Sequence, residues 1–220
     1  MNNDRQGLGF KMIKSYLGEL HEQDILEVGC GEGRIAASLA FSARSYTAID
    51  PDPARLNQAI SSFPEVDFRI GDGEALEFAE SSFSTILFTL SLHHQDSSAA
   101  LKEAHRVLTN KGKLVIIEPA ADGEFQQFFN LFDDETEKLY KAISEIKKSS
   151  FALRKQDVFS TIIEFENQDE LCNYPFDRKA KDPTDDLLIM DKLRQLKGAL
   201  HINEPICLYN KLHIYLLHKY

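Results

Sequence analysis

The sequence predicts an α/β protein: a doubly wound, mostly parallel sheet of seven strands, with helices on both faces and an antiparallel strand at its edge. Three observations predict it. Apolar runs and amphipathic helical patterns alternate from residue 25 to residue 118, the rhythm of repeated strand-helix-strand units. The runs at Ile25–Val28 and Ile86–Leu90 are apolar without strict alternation, as in strands covered on both faces. A glycine-rich turn, Gly29, Gly31 and Gly33, joins the first strand to a helix.

Before the first strand, Phe10, Ile13, Tyr16, Leu17 and Leu20 recur at helical intervals, predicting an amphipathic helix over 8–21. After the glycine turn, Ile35, Ala36, Leu39 and Ala40 mark the next helix. The second strand, Tyr46 to Asp50, ends in a carboxylate, and Asp52 followed by Pro53 reads as an N-cap with proline at the first helical position. Pro64 closes that helix, Val66–Ile70 is a third strand, and Gly71 to Glu74 is a polar turn leaving it. The fourth strand runs into a Ser91–Asp96 loop, and Leu101, Ala104, Val107 and Leu108 face one side of a further helix. Asn110-Lys-Gly112 reads as a helix stop before a fifth strand, Lys113–Glu118.

Beyond residue 120, Phe125, Phe128, Phe129 and Phe132 form a stripe at i, i+3, i+4 and i+7, extended by Leu139, Tyr140, Ile143 and Ile146 after an acidic interruption. Val158–Phe165 predicts a strand, and 169–200 reads as mostly helical, with a basic loop at Arg178–Lys181 and a new helix start at Asp182-Pro183. The final strand, 206–217, alternates Ile206, Leu208, Asn210, Leu212, Ile214 and Leu216 onto one face.

The 220 residues fit a single domain with a substantial core. A formal charge of −10 argues against nucleic acid or an anionic membrane as partner, since both are polyanions. Cys30, Cys172 and Cys207 lie far apart without metal-ligand spacing, so no metal is expected and the thiols read as reduced, in a cytoplasmic protein. The first residues lack the apolar core of a signal peptide, and no run is long enough to span a bilayer.

Glycines without Cβ atoms let backbone pass close to a ligand, and the helix that follows offers free N–H groups, so the turn at 29–33 is a small-molecule cradle. A dinucleotide site wants G-x-G-x-x-G, whose third glycine position holds Arg34 here. Five features occur in order: Glu27 to Gly33, Asp50-Pro51, Gly71 to Leu76, Ser91-Leu-His-His94, and Arg106 to Gly112. Together they resemble the small-molecule class I S-adenosylmethionine-dependent methyltransferases, the group called type 11, over roughly residues 22–120. Ser84 departs from that pattern, which commonly has an acidic residue there.

The resemblance implies S-adenosyl-L-methionine as cofactor and assigns roles residue by residue. Asp50, beside Pro51, accepts from the ribose hydroxyls; Asp72 accepts from the adenine amino group, with the Gly73 and Glu74 backbone beside the ring. Glu27 organises the methionine end, around which Gly29, Cys30, Gly31 and Gly33 form the turn, and Leu90 and Ser91 border it. Each has a plainer alternative: Asp50 and Asp72 as turn formers, Glu27 as partner to the turn's amides, Cys30 as a small side chain tucked beneath it.

His94 or His93 could deprotonate an acceptor, or both could merely shape the pocket. Residues 120–205 are expected to contribute helical acceptor-side elements within one methyltransferase domain spanning 1–220. The phenylalanine stripe is either core or the wall of a site for a partly apolar or aromatic acceptor. The expected function is direct in-line transfer of a methyl group to a small molecule. The alternatives are a non-catalytic S-adenosylmethionine-binding protein and a NAD-dependent oxidoreductase. Oligomeric state is not readable from the sequence.

Overall fold

A computed structural model describes residues 2–4, 7–174, 185–198 and 204–220. The Arg178–Lys181 loop and the helix start at Asp182-Pro183 lie outside them. The chain forms two compact units: a larger one of Phe10–Glu118, Lys138–Asp157 and His213–Tyr220, and a smaller one of Met1–Gly9, Pro119–Glu137 and Val158–Leu212. No described helix is long and apolar enough to cross a membrane.

The strands are β1 (Asn2–Asn3), β2 (Asp24–Val28), β3 (Ser45–Asp50), β4 (Asp67–Ile70), β5 (Phe83–Thr89), β6 (Leu108–Pro119), β7 (Ala152–Phe165) and β8 (Ile206–His218). Their order in the sheet is β1-β7-β8-β6-β5-β2-β3-β4. Setting aside the two-residue β1 leaves, among the described residues, the seven strands that the sequence predicts. β2 to β6 pair in parallel wherever they are neighbours. β8 runs antiparallel to β6: Lys111 N–H donates to the carbonyl of Lys219, just past β8, and Ala120 N–H to that of Lys211.

The helices are α1 (Leu8–Leu17), α2 (Arg34–Leu39), α3 (Pro53–Ser62), α4 (Ser97–Val107), α5 (Glu124–Phe129), α6 (Thr136–Lys148), α7 (Gln168–Asn173) and α8 (Asp185–Lys197). α1 stops short of the expected residue 21 because Gly18 turns left-handed at φ 67, its N–H capping the Lys14 carbonyl at 2.9 Å. Asn110-Lys-Gly112 stops no helix. α4 has already ended at Val107, and these residues form an irregularity within β6, where the step from Leu108 to Lys113 faces the shorter step from Phe83 to Thr85. β7 begins at Ala152, ahead of the expected Val158.

In the larger unit Leu26, Val28, Ile86, Phe88, Leu114 and Ile116 pack against Ala100, Leu101 and Ala104 of α4, and Ala142, Ile146, Phe151, Tyr215 and Leu217 close the same core. The single-face alternation expected of β8 therefore fails at its end, where Tyr215 and Leu217 are buried on the other face. In the smaller unit Phe128 is fully buried with Phe165, Leu193 and Leu208, and Phe125, Phe129 and Phe132 pack around them. The phenylalanine stripe builds a core.

Candidate active site

The carboxyl ends of the parallel strands β2, β3, β4 and β5 gather most of the residues picked out from the sequence. Ligands of such sheets sit outside these ends. β2 passes into the glycine turn, which folds onto β3: Gly29 and Cys30 N–H both donate to the Ile49 carbonyl, at 2.8 and 3.0 Å. Gly29 has φ 78, and a methyl group there would collide with Ser91, whose Oγ would lie 2.9 Å away. Gly33 has φ 77, and its added Cβ would stand 2.5 Å from Phe68 Cζ and 3.1 Å from Ala59 Cβ. Only glycine meets both the conformation and the approach at these two positions.

Asp50 is 5% exposed at the end of β3. Its Oδ2 accepts from Gly31 N–H at 2.7 Å and its Oδ1 from Asp52 N–H at 2.9 Å, while Pro51 is exposed beside it. An ionised carboxylate has about four lone-pair sites. Among the described residues one donor reaches each oxygen, so one acceptor site on each remains.

Glu27 is 1% exposed and accepts from the Tyr46 hydroxyl at 2.9 Å. Burial pushes its carboxyl up to about 8; the Asp50 charge adds to this, and the bonds from Tyr46 and from the Ala36 backbone oppose it. Cys30 is buried, and desolvation, followed by the Glu27 and Asp50 charges, raises its thiol well above the ordinary value. This is the environment of an inert thiol. The exposed Arg55 lays its guanidinium against Gly31, its Nη2 2.9 Å from where a Cβ would be.

The loop after β4 is laced to the loop after β5. Asp72 is exposed and turns onto Glu74 N–H at 2.9 Å; Gly73 lies on Val28 and beneath Gln95, and Glu74 accepts from Asp96 N–H at 2.6 Å. Arg106 anchors the far side of this loop by donating to the Leu76 and Phe78 carbonyls, each at 2.8 Å. Ser84 takes a structural part, accepting from Asp24 N–H at 2.9 Å.

Leu90 is 39% exposed and takes φ 55, a costly conformation for a branched side chain, and it re-aims the chain beyond β5. Ser91 is buried, its Oγ donating to the Val28 carbonyl at 2.6 Å. The histidines then part company. His94 is exposed, whereas His93 is 5% exposed and bonds through Nδ1 to Glu118 Oε2. Glu118, fully buried at the end of β6, accepts from Leu92 N–H on its other oxygen at 2.9 Å. Sequence reading missed Glu118, Tyr46, Arg55 and Gln95; the signal for the first was a carboxylate closing the apolar run Ile116-Ile117.

A family profile described as a methyltransferase domain matches residues 26–116. Over 169 residues, 69% of this chain and 72% of the relative, the sequence is 30% identical to the uncharacterized methyltransferase YodH of Bacillus subtilis. The chain belongs to the class I S-adenosylmethionine-dependent methyltransferases. Another relative, the demethylmenaquinone methyltransferase of Chlorobaculum parvum, is 35% identical over 111 residues, which are 50% of this chain and 46% of that protein. The chain thus spans about half the length of that relative. Among solved structures, the YcgJ protein of Bacillus subtilis shares the fold with a TM-score of 0.74 at 22% identity, covering 97% of this chain and 98% of the other.

The residues fit the family's methyl donor. A cradle that a Cβ would fill, a buried carboxylate with two acceptor sites, and a second acid beneath the turn match a ligand with ribose hydroxyls and a cationic amino-acid end.

Proposed function

We propose that this chain transfers the methyl group of S-adenosylmethionine, by in-line displacement, to a small aromatic acceptor bearing an ionisable hydroxyl, a hydroquinone being the first candidate. Asp50 carries the donor half of this reading, because its two unfilled acceptor sites at the end of β3 match the ribose diol. S-adenosylmethionine supplies an electrophilic methyl carbon on a sulfonium leaving group. Gly29, Gly31 and Gly33 admit its backbone-hugging portion, Glu27 faces its ammonium, and Asp72, Gly73 and Glu74 border the adenine. Leu90 and Ser91 line the methionine side. With so good a leaving group, alignment and exclusion of water supply most of the catalysis. The acceptor class is supported by the Chlorobaculum parvum relative's name and by the histidine-carboxylate pair after β5.

Calorimetry with S-adenosylmethionine, S-adenosylhomocysteine and NAD tests the donor. A charge-assisted bond contributes about 1.5–3 kcal/mol, so Asp50→Ala should weaken donor affinity by roughly one to two powers of ten. Unchanged affinity, or binding of NAD alone, overturns the assignment. Transfer of labelled methyl to 1,4-naphthohydroquinone and to a panel of phenols and amines tests the acceptor. Donor binding with no transfer to any of them would favour a binding protein without catalysis.

A further inference from the structure

α3 begins shortly after Asp50, and its first turn carries Arg55. The backbone there is fixed: Arg55 N–H donates to the Asp52 cap at 3.3 Å, and Leu56 and Ala59 are buried on the helix that follows. From this anchored start the side chain is laid along the glycine turn. Its Nη2, Cζ and Nε stand 2.9, 3.2 and 3.5 Å from where a Cβ on Gly31 would be. The arginine therefore demands glycine at 31 as much as that residue's own φ of 54 does. Gly31 in turn donates its N–H to Asp50 at 2.7 Å, so the guanidinium and the ribose carboxylate flank the same residue of the cradle.

A second observation is how little of this guanidinium is used. Arg44, Arg69 and Arg106 of the same unit pair with Asp24, Asp67 and Glu103. Among the described residues no acceptor takes a hydrogen bond from the Arg55 guanidinium, and no carboxylate lies within ion-pair distance of it. The buried acids of the cradle are bonded elsewhere, Glu27 by Tyr46 and Asp50 by the Gly31 and Asp52 amides. A guanidinium presents a rigid planar fork of N–H donors that matches a carboxylate. The donor has one anionic group, the carboxylate on the carbon that bears its ammonium. Glu27, Asp50 and Asp72 suit the ammonium, the hydroxyls and the adenine amino group; none of them suits a carboxylate.

We propose that Arg55 recognises the α-carboxylate of S-adenosylmethionine and makes the site selective for donors that retain it. The proposal rests on the donor reading above. Because Arg55 is exposed, salt screens the contact. The formal charge of −10 works in the opposite direction, since a donor without its carboxylate is more cationic and the chain as a whole attracts it more strongly. A preference for the carboxylate must therefore come from a local cation.

The test is calorimetry on the full chain with S-adenosylmethionine and with decarboxylated S-adenosylmethionine, which differ by that one group. The unaltered chain should bind the decarboxylated ligand about tenfold more weakly, the lower scale of a charge-assisted hydrogen bond, and the gap should narrow as salt rises. Arg55→Met keeps an unbranched apolar stem and removes the charge. It should lose about tenfold toward S-adenosylmethionine and almost nothing toward the decarboxylated ligand, a non-additivity that isolates the contact. Arg55→Lys should keep part of the gap, having the charge without the fork. Arg34→Met, which removes the exposed arginine next to Gly33, should leave the gap as it is. Circular dichroism certifies that each variant is folded, and Arg55→Gln replaces Arg55→Met, with the same expectation, if the latter is not. Equal affinity of the unaltered chain for the two ligands overturns the proposal. So does a gap that survives in Arg55→Met, a loss shared equally by both ligands, or a gap that Arg34→Met also closes. An unaltered chain that binds neither ligand nor S-adenosylhomocysteine overturns the donor reading beneath it instead.

Discussion

Glu27 ties the chemistry of one residue to the stability of the chain. Its carboxyl ordinarily titrates at 4.5 and is pushed up to about 8 in the folded protein, chiefly by burial. Between those values the folded chain holds a proton that the unfolded chain has released. The folded state then binds more protons, so stability falls as pH rises through this window. Glu27→Gln removes the titration. In urea unfolding, the stability of the native chain relative to Glu27→Gln should decline steadily from pH 5 to 8 and level off above; a flat difference would mean that Glu27 is ionised throughout. The residues around the glycine turn were legible because glycines and acids at strand ends are local signals. The bond between His93 and Glu118 was not, since the pair is separated by 25 residues and neither looks unusual in its own segment. Gln95 over Gly73 and Arg55 against Gly31 were hidden for the same reason.

Elements follow the same division between local and distant causes. The start of α3 was written in Asp52 and Pro53, and the structure has Asp52 Oδ1 accepting from Ala54 and Arg55 N–H at 2.8 and 3.3 Å, with proline in the first turn. Asp52→Ala should cost about 1 kcal/mol of stability in chemical denaturation, the usual loss for such a cap. An unchanged midpoint would mean that Pro53 alone sets the helix start. Where boundaries slipped, a backbone conformation decided them. Gly18 ended α1 early by turning left-handed, and Lys111, at φ 64, sits in the irregularity that β6 carries where a helix stop was expected. The strands themselves were legible because burial on both faces leaves uninterrupted apolar runs.

At the scale of the molecule, the larger unit is assembled from three separate stretches of chain, and its core reaches well past the segment that the family profile matches. Phe151 lies outside that segment, is 8% exposed, and meets the His105 ring edge-on at 5.2 Å. Phe151→Ala should therefore remove roughly 3–5 kcal/mol from global unfolding, as for a core phenylalanine. A loss confined to local fraying would show that Lys138–Asp157 is an accessory to this core. The interleaving was illegible in the sequence, whose texture changes after residue 120 without marking which later residues return to the first core. It also sets a timetable for biosynthesis. The glycine turn, Asp50 and His93 are made early, but the stretch His213–Tyr220, which delivers Tyr215 and Leu217, comes off the ribosome much later. At about 5–20 residues per second that interval is on the order of ten seconds. Throughout it the nascent larger unit lacks the Tyr215 and Leu217 side chains that complete its core, so that apolar surface stays open until the last residues emerge.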